Sequence, residues 1–206
     1  MRQVTRVTRL AIALAALSAL VMAAAPAAPP TTTDPDGVMV LGFPRAPVTV
    51  TEYASVGCPH CAHWATTVYP AFKAKYIDTG RVKFAFHEML TGDGALAAAG
   101  FLIAHCADPD KYFQVVDQIF DKQNEIAAHG APALLAVAQA AGVSEDRFKA
   151  CLSDDAALKA LSERTEADAT LHHVLGTPTF FIDGVRLEGD ETLSSFDAAI
   201  ARARRR

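Results

Sequence analysis

Cys58-Pro59-His60-Cys61 sets two cysteines three residues apart where a strand feeds a helix. The run before it, Val48-Thr49-Val50-Thr51-Glu52-Tyr53, alternates and is rich in β-formers, which predicts a strand. The run after it, Ala62 to Tyr76, carries Trp64, Val68, Phe72 and Tyr76 at spacings of four, one face of a helix. Unpaired N–H groups and the helix dipole at such a junction favour a negative sulfur, and the thiolate is the reactive form of cysteine. His60 can add a positive charge or a donor, and Pro59 gives up no hydrogen bond that a first turn would use. Cys58 is therefore expected to be the exposed, attacking or attacked sulfur, and Cys61, one turn deeper, the resolving thiol. A stabilised thiolate favours the reduced dithiol, which makes its disulfide the better oxidant.

The alternatives for such a pair are half of a zinc site or a static disulfide. Structural zinc needs a second ligand pair. His172 and His173 are adjacent rather than spaced, and Cys106 and Cys151 stand singly. No metal and no organic cofactor is expected, since the two sulfurs can carry the electrons themselves.

The rest of the chain divides by its hydrophobic period. Arg81 to His87 predicts a second central strand after the turn Asp78-Thr79-Gly80, completing a βαβ unit. From Gly92 to about Val174 the pattern is helical. The expected helices are Ala95 to Cys106, one opened by Asp108-Pro109, Ala131 to Ala141, one capped by Ser144, and a long one from Asp154 or Asp155 through His172. Thr179 to Ile182, the turn Asp183-Gly184 and Val185 to Leu187 predict a β-hairpin, and Thr192 to Ala201 a last helix. This β-α-β, helical block, β-β-α order is that of an α/β thioredoxin fold interrupted by an all-helical insertion. The expected divisions are a signal peptide over 1–28, the N-terminal part of the fold over 29–91, the insertion over 92–174 and the C-terminal part over 175–206.

With these elements in place the chain resembles the DsbA-like family of secreted thiol–disulfide oxidoreductases. The resemblance rests on Cys58-Pro59-His60-Cys61, the insertion, the signal segment and Gly176-Thr177-Pro178-Thr179-Phe180-Phe181-Ile182-Asp183-Gly184. It implies a cis Thr177–Pro178 bond packed against the dithiol, leaving the Thr177 backbone free to pair with an incoming peptide strand. An ordinary proline at a strand start is the plainer reading of Pro178. It also implies that Glu52 is a buried acid beneath the dithiol, with a raised pKa and a part in relaying the resolving proton; a glutamate on an exposed strand edge is the alternative. The family's basic companion on the next strand has no evident counterpart, since Phe86 or His87 stands near its place. Some members carry a second bridge in the insertion, so the resemblance implies Cys106–Cys151, against two buried free thiols packing as small apolar groups. The implied activity is the introduction of disulfides into exported proteins. The alternatives are an isomerase or reductase of the same fold, or a metal- or peptide-binding protein.

The N-terminus suits export. Arg2, Arg6 and Arg9 precede the apolar run Leu10 to Ala25, and small residues from Ala23 to Ala28 offer cleavage sites. The run is shorter than the roughly 20 residues a spanning helix needs. Cleavage after residue 28 would leave 16 Lys+Arg against 23 Asp+Glu, the 19 basic residues less these three, hence a net charge of −7. That charge argues against nucleic acid as a partner. The expected partners are unfolded exported proteins with free thiols and a membrane protein that reoxidises the dithiol, the latter implied by the resemblance. The expected location is the periplasm or another secreted compartment. The stretch between the expected cleavage site and Val38 and Val40 is too short for a dimerisation domain, so a monomer is expected. Ala23 to Thr33, rich in Ala, Pro and Thr, predicts a disordered lead-in, and the histidines outside the motif predict surface or satisfied helix positions.

Overall fold

In the computed structural model, which describes residues 27–206, six strands form one mixed sheet. The expected signal peptide lies outside the described residues but for its last two. The strands are β1 Thr31–Thr33, β2 Met39–Leu41, β3 Val48–Ala54, β4 Val82–Glu88, β5 Thr179–Ile182 and β6 Val185–Arg186, in spatial order β1-β2-β4-β3-β5-β6. Only β3 and β4 pair in parallel, and they form the centre of the sheet. Their parallel register demands a crossover, which the helices after the dithiol supply. This is the thioredoxin-like α/β arrangement.

Two local expectations need correction. The lead-in is not all irregular: Thr31–Thr33 pairs antiparallel with Met39–Leu41. Three β-branched residues suit a strand. Asp34 builds the turn between them, its Oδ1 accepting from the N–H of Asp36 and of Val38 at 2.9 Å each. The helix expected to run through Tyr76 is broken into α1 Pro59–Thr67, α2 Tyr69–Phe72 and a π-helical turn Lys73–Ile77. Pro70 has no N–H to donate to the preceding turn, so the ladder fails there. Trp64, Phe72 and Tyr76 are nevertheless buried on one side, as their spacing predicts.

Between β4 and β5 stand α3 Gly94–Cys106, α4 Tyr112–Asp121, α5 Gln123–His129, α6 Ala131–Ala140, α7 Glu145–Leu152 and α8 Asp155–Leu171. α5 was not foreseen: its seven residues give the helical period too little length to show. Their starts are chemically marked. Asp93, Ser144 and Asp154 each accept from first-turn N–H groups. α9 Leu193–Ala203 closes the chain behind its cap Thr192.

Packing uses both faces of the sheet. Val48, Val50 and Ala54 of β3 join the main core with Trp64, Phe72, Phe101, Ile119 and Phe196. Tyr53 points the other way, as alternation requires, and clusters with Met89 and Val174 under Ala169 of α8. Cys106 at the end of α3 is bonded to Cys151 of α7, with Cα atoms 6.4 Å apart. No described helix is long and apolar enough to cross a membrane.

Candidate active site

The dithiol sits where β3 ends and α1 begins. Cys58 is the N-cap of α1 with extended backbone (φ −99°, ψ 120°), and Pro59 occupies the first turn. The turn leading in is held by short bonds: Cys58 N–H donates to Ser55 O at 3.0 Å, and Ser55 Oγ accepts from Gly57 N–H at 3.1 Å while donating to Thr91 O at 2.8 Å. Gly57 and Gly92 let the β4–α3 loop lie against this turn. A Cβ on Gly57 would come within 2.1 Å of Asp93 O, and one on Gly92 within 2.2 Å of Gly57 O. Gln123 of α5 donates to the carbonyls of Val56 (2.7 Å) and Cys58 (3.2 Å), tying the insertion to the dithiol.

The two sulfurs are free thiols in unequal surroundings. Cys61 is fully buried at 0 % exposure, and Cys58 keeps 7 %. The order is the expected one, but Cys58 is a narrow opening rather than an exposed side chain. Its thiol is lowered to about 5. The largest cause is the hydrogen bond from the Cys61 thiol; burial opposes it, and Thr177 with the N–H groups of Cys61 and His60 adds to it. Burial pushes Cys61 far up instead, reinforced by Cys58 and by the charge of Glu52. His60 is exposed at the surface of the motif.

Residues distant in sequence complete the site. The Thr177–Pro178 bond is cis. Cys58 Sγ lies 3.3 Å from Thr177 O, across 119 residues of chain. Thr177 Oγ1 shares a 2.7 Å hydrogen bond with Thr91 Oγ1. Pro178, His60 and His63 line one shallow depression with Asp190 and Glu191. Trp64 packs on Phe180, ring centroids 4.6 Å apart.

Glu52 is buried, at 2 % exposure, so it is not an edge glutamate. Burial first, and the negative charge of Asp117 second, push its carboxyl well above the usual carboxylate range. Its partner in register on β4 is Phe86, so no cation faces it from that strand. His87 points to the other face and pairs with Asp168 of α8 at 2.7 Å. Three contributors escaped sequence reading: Thr91, Gln123 and Asp117. Gly57, next to Cys58, was the one local sign that another backbone approaches the dithiol. Among the described residues no three His, Cys, Asp or Glu side chains gather as a metal site.

Comparisons with known proteins agree with this geometry. The family model described as thioredoxin matches residues 34–202. A protein of Rickettsia bellii named "Putative protein-disulfide oxidoreductase" is 33 % identical over 168 residues, 80 % of this chain and 64 % of that protein. The chain thus spans a little under two thirds of that relative's length. The crystal structure of Wolbachia pipientis alpha-DsbA1 superposes with a TM-score of 0.75 at 24 % identity, covering 83 % of this chain and 92 % of that one. Oxidised BdbD of Bacillus subtilis gives 0.69 at 21 % identity, covering 87 % and 99 %.

Proposed function

Because this chain belongs to the thioredoxin family, we propose that its asymmetric dithiol makes it a DsbA-like enzyme that introduces disulfides into exported proteins. The observation that carries the reading is the contrast within the pair: a low-pKa Cys58 at the helix start, 3.3 Å from Thr177 O, over a buried Cys61. The named relatives support the class of chemistry, and the wider likeness to solved structures supports the fold.

The exchange follows from that contrast. A substrate thiolate attacks Cys58 Sγ of the oxidised pair. The Cys58–Cys61 bond breaks as the substrate–Cys58 bond forms, and Cys61 leaves as a thiolate that takes up a proton. A second substrate thiolate attacks the substrate sulfur of the mixed disulfide and expels Cys58. Cys58 is the good leaving group because its thiolate is stabilised. Two electrons pass to the dithiol, and the substrate departs with its disulfide. The Thr177 backbone, which lies beside Cys58, pairs with the extended substrate strand. Glu52 supplies the proton that Cys61 takes up. His60 and Pro59 hold the mouth of the site, and Cys106–Cys151 is structural. The enzyme acts as a monomer in the periplasm or an equivalent secreted compartment after signal-peptide removal, with no cofactor, and a membrane protein reoxidises it.

A reductase or isomerase on the same fold is the rival. The reduction potential of the Cys58–Cys61 pair, read by alkylation mass shift in a glutathione series with Cys106 and Cys151 tracked separately, divides the two. The oxidase reading expects a potential well above that of glutathione. A value near thioredoxin's, about −270 mV, overturns it and supports the rival.

A further inference from the structure

Beneath the dithiol, between the sheet and α4, lies a small cavity lined by Glu52, Trp64, Tyr69, Phe86 and Asp117. It has about 10 Å³ of room for the centre of a water, close to the space one molecule needs. Its polar lining is unusual. Glu52 Oε1, Trp64 Nε1 and Tyr69 Oη are all buried without a hydrogen-bond partner among the described residues. Three such groups around one cavity match the two to four partners that a buried water takes. Leaving them bare would cost about 1–3 kcal/mol each. Asp117 of α4 lines the same cavity; the residue as a whole reaches solvent, while burial of its carboxyl pushes it up to about 7.

We propose that this cavity holds a water joining Glu52 to Asp117, so that Asp117 is the positioning residue through which the proton of Cys61 passes between Glu52 and solvent. The inference rests on the oxidoreductase reading and adds to it a route. When Cys61 leaves the disulfide as a thiolate, Glu52 gives it a proton and becomes a carboxylate. A proton then enters at Asp117, crosses the water and restores Glu52. No electron moves in this relay, and one proton from solvent balances the one taken by Cys61. The route runs in reverse when Cys61 attacks. The charged and titratable groups around Glu52 are Cys61 from α1, Tyr69 from α2 and Asp117 from α4. The ion-paired Lys73 and Asp78 stand farther along the same side. From the strands, β4 and β5 present Phe86 and Phe180 in register. Solvent therefore has no ionisable route to Glu52 from within the sheet, and the insertion provides one.

The test is a single turnover. A thionitrobenzoate group is placed on Cys58, and its release by Cys61 is followed by absorbance from pH 4 to 9. Asp117→Asn should lower the plateau rate about tenfold, a modest share of what positioned proton transfer contributes, and move the midpoint to lower pH. Asp117→Glu should restore both, and Glu125→Gln, which neutralises an exposed acid on α5, should change neither. An unchanged plateau in Asp117→Asn overturns the relay, and so does a shifted midpoint at full rate, which would leave Asp117 a spectator charge. Wild-type protein that forms no adduct on Cys58 overturns the oxidoreductase reading itself, and this inference with it.

Discussion

Two regions of this molecule each hold a pair of cysteines and a buried glutamate, in opposite conditions. At the end of β3 the cysteines are free thiols, and Glu52 Oε1 has no partner among the described residues. On the same face of the sheet, Glu88 at the end of β4 is fully engaged, and Cys106 of α3 is bonded to Cys151 of α7. Glu88 is 4 % exposed and accepts from Tyr112 Oη at 2.7 Å, His105 Nε2 at 2.8 Å and the Arg164 guanidinium. Burial works to raise its carboxyl, but His105, Arg164 and Tyr112 outweigh it and hold Glu88 below its ordinary value. The same residue type at nearly the same depth is thus held down in one place and pushed up in the other. The difference teaches where stability and reactivity are separated. Glu88 fastens β4 to α3, α4 and α8, while Glu52 Oε1 is left without a partner among the described residues.

The comparison can be broken most forcefully at the bridge. Replacing Cys106 and Cys151 together by alanine should lower stability by about 4 kcal/mol for a 45-residue separation in the chain-entropy account. Denaturant titration measures this, and the alkylation profile of Cys58 should not move. If the profile moves with the bridge, the two regions are not separate. Glu88→Gln should cost about 2 kcal/mol, because it removes the buried charge that half-buried Arg164 and the more exposed His105 pair with. The depressed Glu88 carboxyl contributes stability that is present above the unfolded value near 4.3 and is lost as pH falls through its lower folded value. The variant should therefore unfold in acid with a shallower pH dependence than the wild type.

Smaller effects sharpen the other side. Iodoacetamide should modify Cys58 with a midpoint at about pH 5 and leave Cys61 untouched through neutral pH. Because the folded pKa of Cys58 is depressed, the reduced protein gains stability that is complete above the ordinary thiol value near 8.5 and gone once pH falls through about 5. A common midpoint for the two thiols would contradict the asymmetry on which the functional reading rests. Glu52→Gln should change stability little in acid and raise it progressively as pH climbs above the ordinary carboxylate value. A raised carboxyl favours the fold below its unfolded pKa and loses that contribution as pH climbs through the folded one. A loss as large as that of Glu88→Gln would show that Glu52 has partners of its own.

Much of this organisation was legible in local chemistry. The strand–dithiol–helix junction follows from alternation in Val48 to Tyr53 and the apolar spacing after Cys61. Ser144 and Asp154 marked helix starts as side chains that satisfy first-turn N–H groups, and Asp183-Gly184 marked the hairpin. Each signal needs only a few neighbouring residues, so a single sequence can carry it. The break at Pro70 was legible too, yet the continuous apolar spacing masked it.

Long-range placement was decided by the tertiary structure alone. No local pattern says that Cys58 ends 3.3 Å from Thr177 O, or that Gln123 reaches back to the carbonyls of Val56 and Cys58. Glu52 and Glu88 are alike as residues on strands. Register sets Phe86 beside the first, and helix packing gathers Tyr112, His105 and Arg164 around the second. Sequence by itself determined a dithiol at a helix start, because propensity, capping and the helix dipole act within one turn. Which acid stays unpartnered beneath it depended on what distant segments bring, because burial and charge are summed over everything that packs nearby.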